Sequence, residues 1–241
     1  MYQDTNHIND DLVKKIIDEN RQITSMLIHE LINPLSLIKG TLQYIEMKHQ
    51  EVKGYKYWDQ LYDLINDMEI LMSDASLLNS SFALNIKDTN LLNLIHQVVD
   101  NYKPQADTQE KHLIFKSSPE YDYILSSYPC DQDKIKQVLS NLLKNALEAT
   151  STGDYIEIII KLDDINSPSI LCIQINNNGP MIPENEIDTI FKPFVTHKSG
   201  GTGVGLALAK RIIEAHNGSI HVSSTKEVTG FTIILPLRND L

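Results

Sequence analysis

The sequence predicts an α+β protein in two parts, an N-terminal antiparallel helical hairpin and a C-terminal layer of helices on one face of a mixed sheet. Three observations carry this. Before Phe82, apolar residues keep a helical period with almost no strand signal. After it, helical stretches alternate with short isoleucine-rich runs bounded by turn residues. Two strand-like runs close the chain, as expected when helices cover a sheet. The expected boundaries are 1–82 for the hairpin and 83–241 for the second domain.

The elements follow in order. Ile28, Leu31, Leu35, Ile38, Leu42 and Ile45 repeat at 3-4-3-4-3, and so do Trp58, Leu61, Ile65, Met68, Met72 and Ala75. Each set is a heptad seam on one helix. The polar stretch His49 to Tyr55, with Gly54, supplies the turn. Two seams cannot fill a core alone, so either a second copy completes a four-helix bundle or the hairpin packs on its own C-terminal half. Leu91 to Tyr102 reads as an amphipathic helix, and His112 to Lys116 and Tyr121 to Leu125 as short strands. A strong helix covers Lys134 to Thr150, with strands at Tyr155 to Ile160 and Ile170 to Asn176. A glycine cluster opens a helix from about Val204 to His216. Ser219 to Ser223 and Phe231 to Leu237 finish as strands, punctuated by Gly230 and Pro236.

Composition narrows the function. The 241 residues are 41% hydrophobic and 22% charged, as in a folded chain. A net charge of −11 argues against nonspecific binding to nucleic acid or anionic membrane, which reward positive charge. Only Cys130 and Cys172 are present, in no metal-binding spacing. No apolar run approaches the ~20 residues that span a bilayer, and the polar, acidic start is unlike a signal peptide. The expectation is a cytoplasmic chain with no direct membrane insertion.

Three features could carry chemistry. Gly200-Gly201-Thr202-Gly203-Val204-Gly205-Leu206 leads straight into a helix. Glycines allow close backbone approach to an anion, and a helix N-terminus offers free N–H groups, although a plain turn reads the same way. Asn141 and Asn145 share one helix face, four apart. Their carbonyl oxygens suit Mg²⁺, and solvated surface residues are the simpler reading. His29 follows the seam residue Ile28, with Glu30 beside it and Pro34 inside the helical pattern. A neutral imidazole is a competent nucleophile, and a mid-helix proline loosens the turn around it.

In combination these features are far more specific. Ile28-His29-Glu30-Leu31-Ile32-Asn33-Pro34-Leu35 resembles the phosphoacceptor box of two-component sensor histidine kinases. Gln137 through Ala149 resembles their asparagine box, Ile190-Phe191-Lys192-Pro193-Phe194 their phenylalanine box, and Gly201 through Leu206 their second glycine box. Gly218 through Pro236 is similar to their terminal strands. The His-Glu-x-x-Asn-Pro form is most like the sporulation-kinase and nitrogen-regulator-kinase branches.

The resemblance implies a dimeric hairpin bundle followed by an ATP-binding α/β sandwich of the gyrase/Hsp90/histidine-kinase/MutL type. His29 would take the γ-phosphoryl group, with Glu30 assisting as base and Asn33 positioning water in any dephosphorylation. Asn145 would bind Mg²⁺, with Asn141 and Lys144 on the phosphate side of ATP. Lys198, Gly201, Thr202, Gly203, Gly205 and Leu206 would belong to the lid and phosphate cradle, and Asn177 and Gly179 to the adenine end. The partner would be a response-regulator receiver domain, phosphorylated on aspartate. Only 28 residues precede His29, so an upstream sensor protein or a longer chain would deliver the signal. A gyrase-type ATPase is disfavoured, because Asn141 stands where that class carries a glutamate base.

One box departs from the family pattern. Ile175-Asn176-Asn177-Asn178-Gly179-Pro180-Met181 aligns with the first glycine box, Asp-x-Gly-x-Gly. Asn177 replaces the aspartate that accepts from the adenine amino group, and losing the charge is worth about 1 kcal/mol, on the order of five- to tenfold in ATP affinity. Met181 replaces a glycine and would be strained by about 1–3 kcal/mol if its φ were positive. The alternative reading is a degenerate kinase that acts as a phosphatase or phosphotransferase toward the regulator, or as a sequestering dimer.

Overall fold

A computed structural model describes residues 3–79, 83–163, 169–196 and 201–237. The chain divides into two compact units at residue 82, with the segment Thr196–Val204 grouped with the first.

The first unit is built on helices α1 (Gln3–Lys48) and α2 (Trp58–Asn79), joined by a 3₁₀ turn at Gln50–Gly54. The turn closes on backbone bonds from His49 N–H to the Ile45 carbonyl and from Tyr55 N–H to the Val52 carbonyl, with Val52 buried. Helix α1 runs on through Pro34, which deprives the Glu30 carbonyl of its helical donor without ending the helix. Along the seams, Ile28, Leu35 and Ile65 are buried, whereas Leu31, Ile38 and Met68 stay about half exposed. Salt links between Lys39 and Glu69 (2.6 Å) and between Lys53 and Glu46 (2.7 Å) flank the seams. The two helices thus bury only alternate layers of their apolar faces.

The second unit is a sheet covered by helices. In chain order it holds β1 (Lys87–Thr89), α3 (Leu91–Thr108), β2 (His112–Lys116), α4 (Tyr121–Ile124), β3 (Tyr128–Cys130) and α5 (Gln132–Ala149). These are followed by β4 (Tyr155–Asp163), β5 (Ile170–Asn177), α6 (Glu184–Ile187), α7 (Gly205–Ala215), β6 (Ser219–Ser224) and β7 (Thr229–Pro236). The main sheet has the order β2-β4-β5-β7-β6, parallel only between β2 and β4; β1 and β3 form a separate antiparallel pair. Alternation in β4 and β5 sends Ile156, Ile158, Ile160, Leu171, Ile173 and Ile175 into the core. The stripe Ile135, Val138, Leu139, Leu142, Leu143, Ala146 and Leu147 makes α5 the central covering helix.

Several expected elements change. Tyr121 to Leu125 is not a strand. Ser118-Pro119 starts a helical turn there, with Tyr121 N–H on the Ser118 carbonyl and Leu125 N–H on the Tyr121 carbonyl. The β-favouring tyrosines and isoleucine gave a false signal. Strands β1 and β3 have three residues each, too few to show a period. Helix α3 continues past Tyr102 and through Pro104 to Thr108. No helix among the described residues is long and apolar enough to cross a membrane.

Candidate active site

Three pieces of the second unit meet around α5. Its start is fixed by Asp131, whose carboxylate accepts from the N–H groups of Lys134 (3.1 Å) and Asn85 (2.9 Å). The Asp131 N–H donates to His216 Nε2 at 3.0 Å, and His216 Nδ1 lies 2.8 Å from the Ile212 carbonyl. Nε2 therefore accepts and Nδ1 carries the proton. Burial pulls the His216 pKa below its ordinary 6.5, against the opposing pull of the Ile212 carbonyl and the Asp131 charge. This link ties the start of α5 to the end of α7.

Further along α5, Asn141 and Asn145 are both half-buried on one face. The Asn141 side chain donates from Nδ2 to the Gly205 carbonyl at 3.2 Å, fastening α5 to the first residue of α7. Gly203 just before it is left-handed at φ 66°, a conformation glycine takes without steric cost. Thr202 Oγ1 accepts from Val204 N–H at 3.4 Å. Gly201 is exposed and Leu206 half-buried. Lys144 points outward, 3.9 Å from Glu148. Lys198 lies outside the described residues.

At the end of β5 three asparagines divide their work. Asn178 is structural: its Oδ1 accepts from Tyr155 N–H at 2.7 Å and its Nδ2 donates to Asp154 at 2.9 Å. Asn176 packs its Oδ1 against Gly230. Asn177 is only 2% exposed, and its Nδ2 is the one buried side-chain polar atom among the described residues without a hydrogen-bond partner. Gly179 sits beside it, pressed on the end of α5 so that a Cβ there would land on the Ala149 carbonyl. The Asn177 amide and the Asn141/Asn145 face thus border the same helix.

Met181 corrects an expectation. Among the described residues, the positive-φ residues other than glycine are Glu110, Phe194 and Asn217, so the anticipated strain at Met181 does not arise. Near the site, Phe194 is left-handed at φ 63° and well exposed, and nothing in the sequence signals it. Phe191 stacks edge-on against Phe231 at 6.3 Å, with the Lys210 ammonium 5.8 Å from its ring centre.

His29, Glu30 and Asn33 belong to α1 of the first unit, and all three are exposed. His29 follows the buried Ile28, and the four-residue step places Asn33 on the same face. The helix therefore presents an imidazole, a carboxylate and an amide to solvent in the turn weakened by Pro34.

Residues 130–239, which hold α5, β5, α7 and the closing strands, match the family described as histidine kinase-, DNA gyrase B- and HSP90-like ATPases. The fold and site define an ATPase domain of that class. The catalytic domain of the histidine kinase ThkA is similar at 31% identity and a TM-score of 0.56, over 63% of this chain and 95% of that one. Sporulation kinase A of Bacillus subtilis is 34% identical over 217 residues, covering 89% of this chain and 34% of the relative. The sensory histidine kinase/phosphatase NtrB of Rhizobium meliloti is 30% identical over 239 residues, covering 91% of this chain and 59% of the relative. The chain belongs to the histidine kinases. It spans about a third to three-fifths of the length of these two relatives.

Proposed function

We infer that this chain is the core of an ATP-dependent protein-histidine kinase, which phosphorylates His29 and passes the phosphoryl group to an aspartate of a response-regulator receiver domain. Residues 1–82 would be the dimerising phosphotransfer hairpin and residues 83–241 the ATP-binding domain. The observation that carries this reading is the end of β5. A buried amide without a partner costs free energy unless a ligand supplies the missing bond, and Asn177 holds such an amide inside the segment that matches the ATPase family.

The remaining residues fit that ligand. Asn177 and Gly179 would hold the base, and the N-terminal turn of α7 behind Gly201, Thr202, Gly203, Gly205 and Leu206, with Lys198, would face the phosphates. Asn141 keeps that turn in place through its bond to Gly205. Among the described residues no three His, Cys, Asp or Glu side chains gather as a metal cage. The oxygen of Asn145, with Asn141 and Lys144 beside it, suits a hard cation that relies on phosphate and water for most of its ligands. Bound there, Mg²⁺ would neutralise phosphate charge.

On α1, His29 would attack the γ-phosphorus of ATP through a ring nitrogen, the bond to the β-phosphate oxygen breaking as ADP leaves, while Glu30 receives the proton from the other nitrogen. Asn33, one turn on, would orient water if phosphate is later removed. Positioning does most of the work in phosphoryl transfer. The half-exposed seam residues Leu31, Ile38 and Met68 support a homodimer, since a second hairpin would bury them. An upstream sensor protein would act on this bundle. Incubating the chain with γ-labelled MgATP tests the reading. Label retained on the protein is expected, and ADP release without bound label would contradict it.

A further inference from the structure

We propose that Asn177 makes the base site tolerant at the purine 6-position, so that the chain takes 6-oxo purine nucleoside triphosphates as well as ATP. The inference rests on the nucleotide-binding reading above and names the substrate class of that site.

The three asparagines at the end of β5 divide their labour. Asn178 is engaged on both ends of its amide and Asn176 packs against Gly230. Only Asn177 is buried to 2% exposure with a donor left over. A carboxylate in its place offers acceptors alone, so it takes a 6-amino group and repels a 6-oxo group. An amide carries one acceptor and one donor, and its two orientations have the same shape.

In one orientation Oδ1 accepts from the 6-amino group while Nδ2 donates to N1. After a half-turn about the terminal torsion, Nδ2 donates to a 6-oxo oxygen while Oδ1 accepts from N1–H. Gly179 puts no Cβ beside the amide; one there would stand 2.9 Å from Nδ2. Both purine edges therefore find two complementary partners at one residue. Sites discriminate strongly when the wrong ligand leaves their polar groups unpaired, and here neither edge does.

Titration calorimetry of the whole chain with MgATP and with MgITP tests this, since inosine differs from adenosine only at N1 and position 6. Wild type is expected to bind the two within about tenfold of each other, and Asn177→Asp to favour ATP by at least about tenfold more than wild type does. ITP bound over about 100-fold more weakly than ATP by wild type overturns the inference and leaves the kinase reading standing. An unchanged ratio in a folded Asn177→Asp also overturns it. Should that variant fail to fold by circular dichroism, the wild-type ratio alone decides. Binding of neither nucleotide overturns both the inference and the kinase reading.

Discussion

Asn141 on α5 donates its side-chain amide to the carbonyl of Gly205, the residue that opens α7, at 3.2 Å. The bond joins the middle of α5 to the first residue of α7, 64 positions apart in sequence. Asn141→Ala is expected to lose about 1 kcal/mol of stability and to lower the melting temperature by ~2–5 °C. Nucleotide affinity should fall by more than that loss explains, because the α7 turn is then unanchored. Thermal melts with and without MgATP check both.

Gly179 has no room for a side chain beside the Ala149 carbonyl. Gly179→Ala should destabilise the second unit by about 1–3 kcal/mol, the usual cost of overpacking. It should also weaken nucleotide binding through the displaced Asn177. Urea denaturation monitored by circular dichroism gives the first quantity and calorimetry the second.

His216 accepts from the Asp131 N–H and is buried, which lowers its pKa below 6.5. The unfolded chain therefore takes up a proton at a higher pH than the folded one. The stability that His216 contributes is complete above 6.5 and is lost as the pH falls below it toward the folded value. Unfolding midpoints should drop from pH 7.5 to 5.5, and His216→Gln should show a smaller drop than wild type, from a lower start.

Leu31 and Ile38 are 52% and 51% exposed in the single chain, on the same seam as the buried Ile28 and Leu35. Ile38→Lys should leave the hairpin helical and convert a dimer to a monomer. Light scattering coupled to size exclusion reads the mass directly. A wild-type monomer would contradict the bundle.

Long periodic elements were legible in the sequence because burial imposes a period on them. The seam of α1, the α5 stripe and the isoleucine alternation of β4 and β5 are examples. Short strands β1 and β3 were not, since three residues carry no period. Tyr121 to Ile124 misled because local propensity favours strand while the Ser118-Pro119 turn starts a helix. At the site, spacing marked Asn141, Asn145 and the glycine cluster. It could not show that Asn177 Nδ2, among the described residues, is the buried side-chain donor left without a partner, or that His216 reaches Asp131 across 85 positions. Those are tertiary facts without a local signal.

The most direct measurement locates the phosphoryl group. The chain and its His29→Gln variant are incubated with γ-labelled ATP and Mg²⁺, and bound label is followed through acid and alkali. His29 as phosphoacceptor predicts acid-labile, alkali-stable label on wild type and none on the variant. Equal label on a folded His29→Gln protein, or label that survives acid, would contradict it.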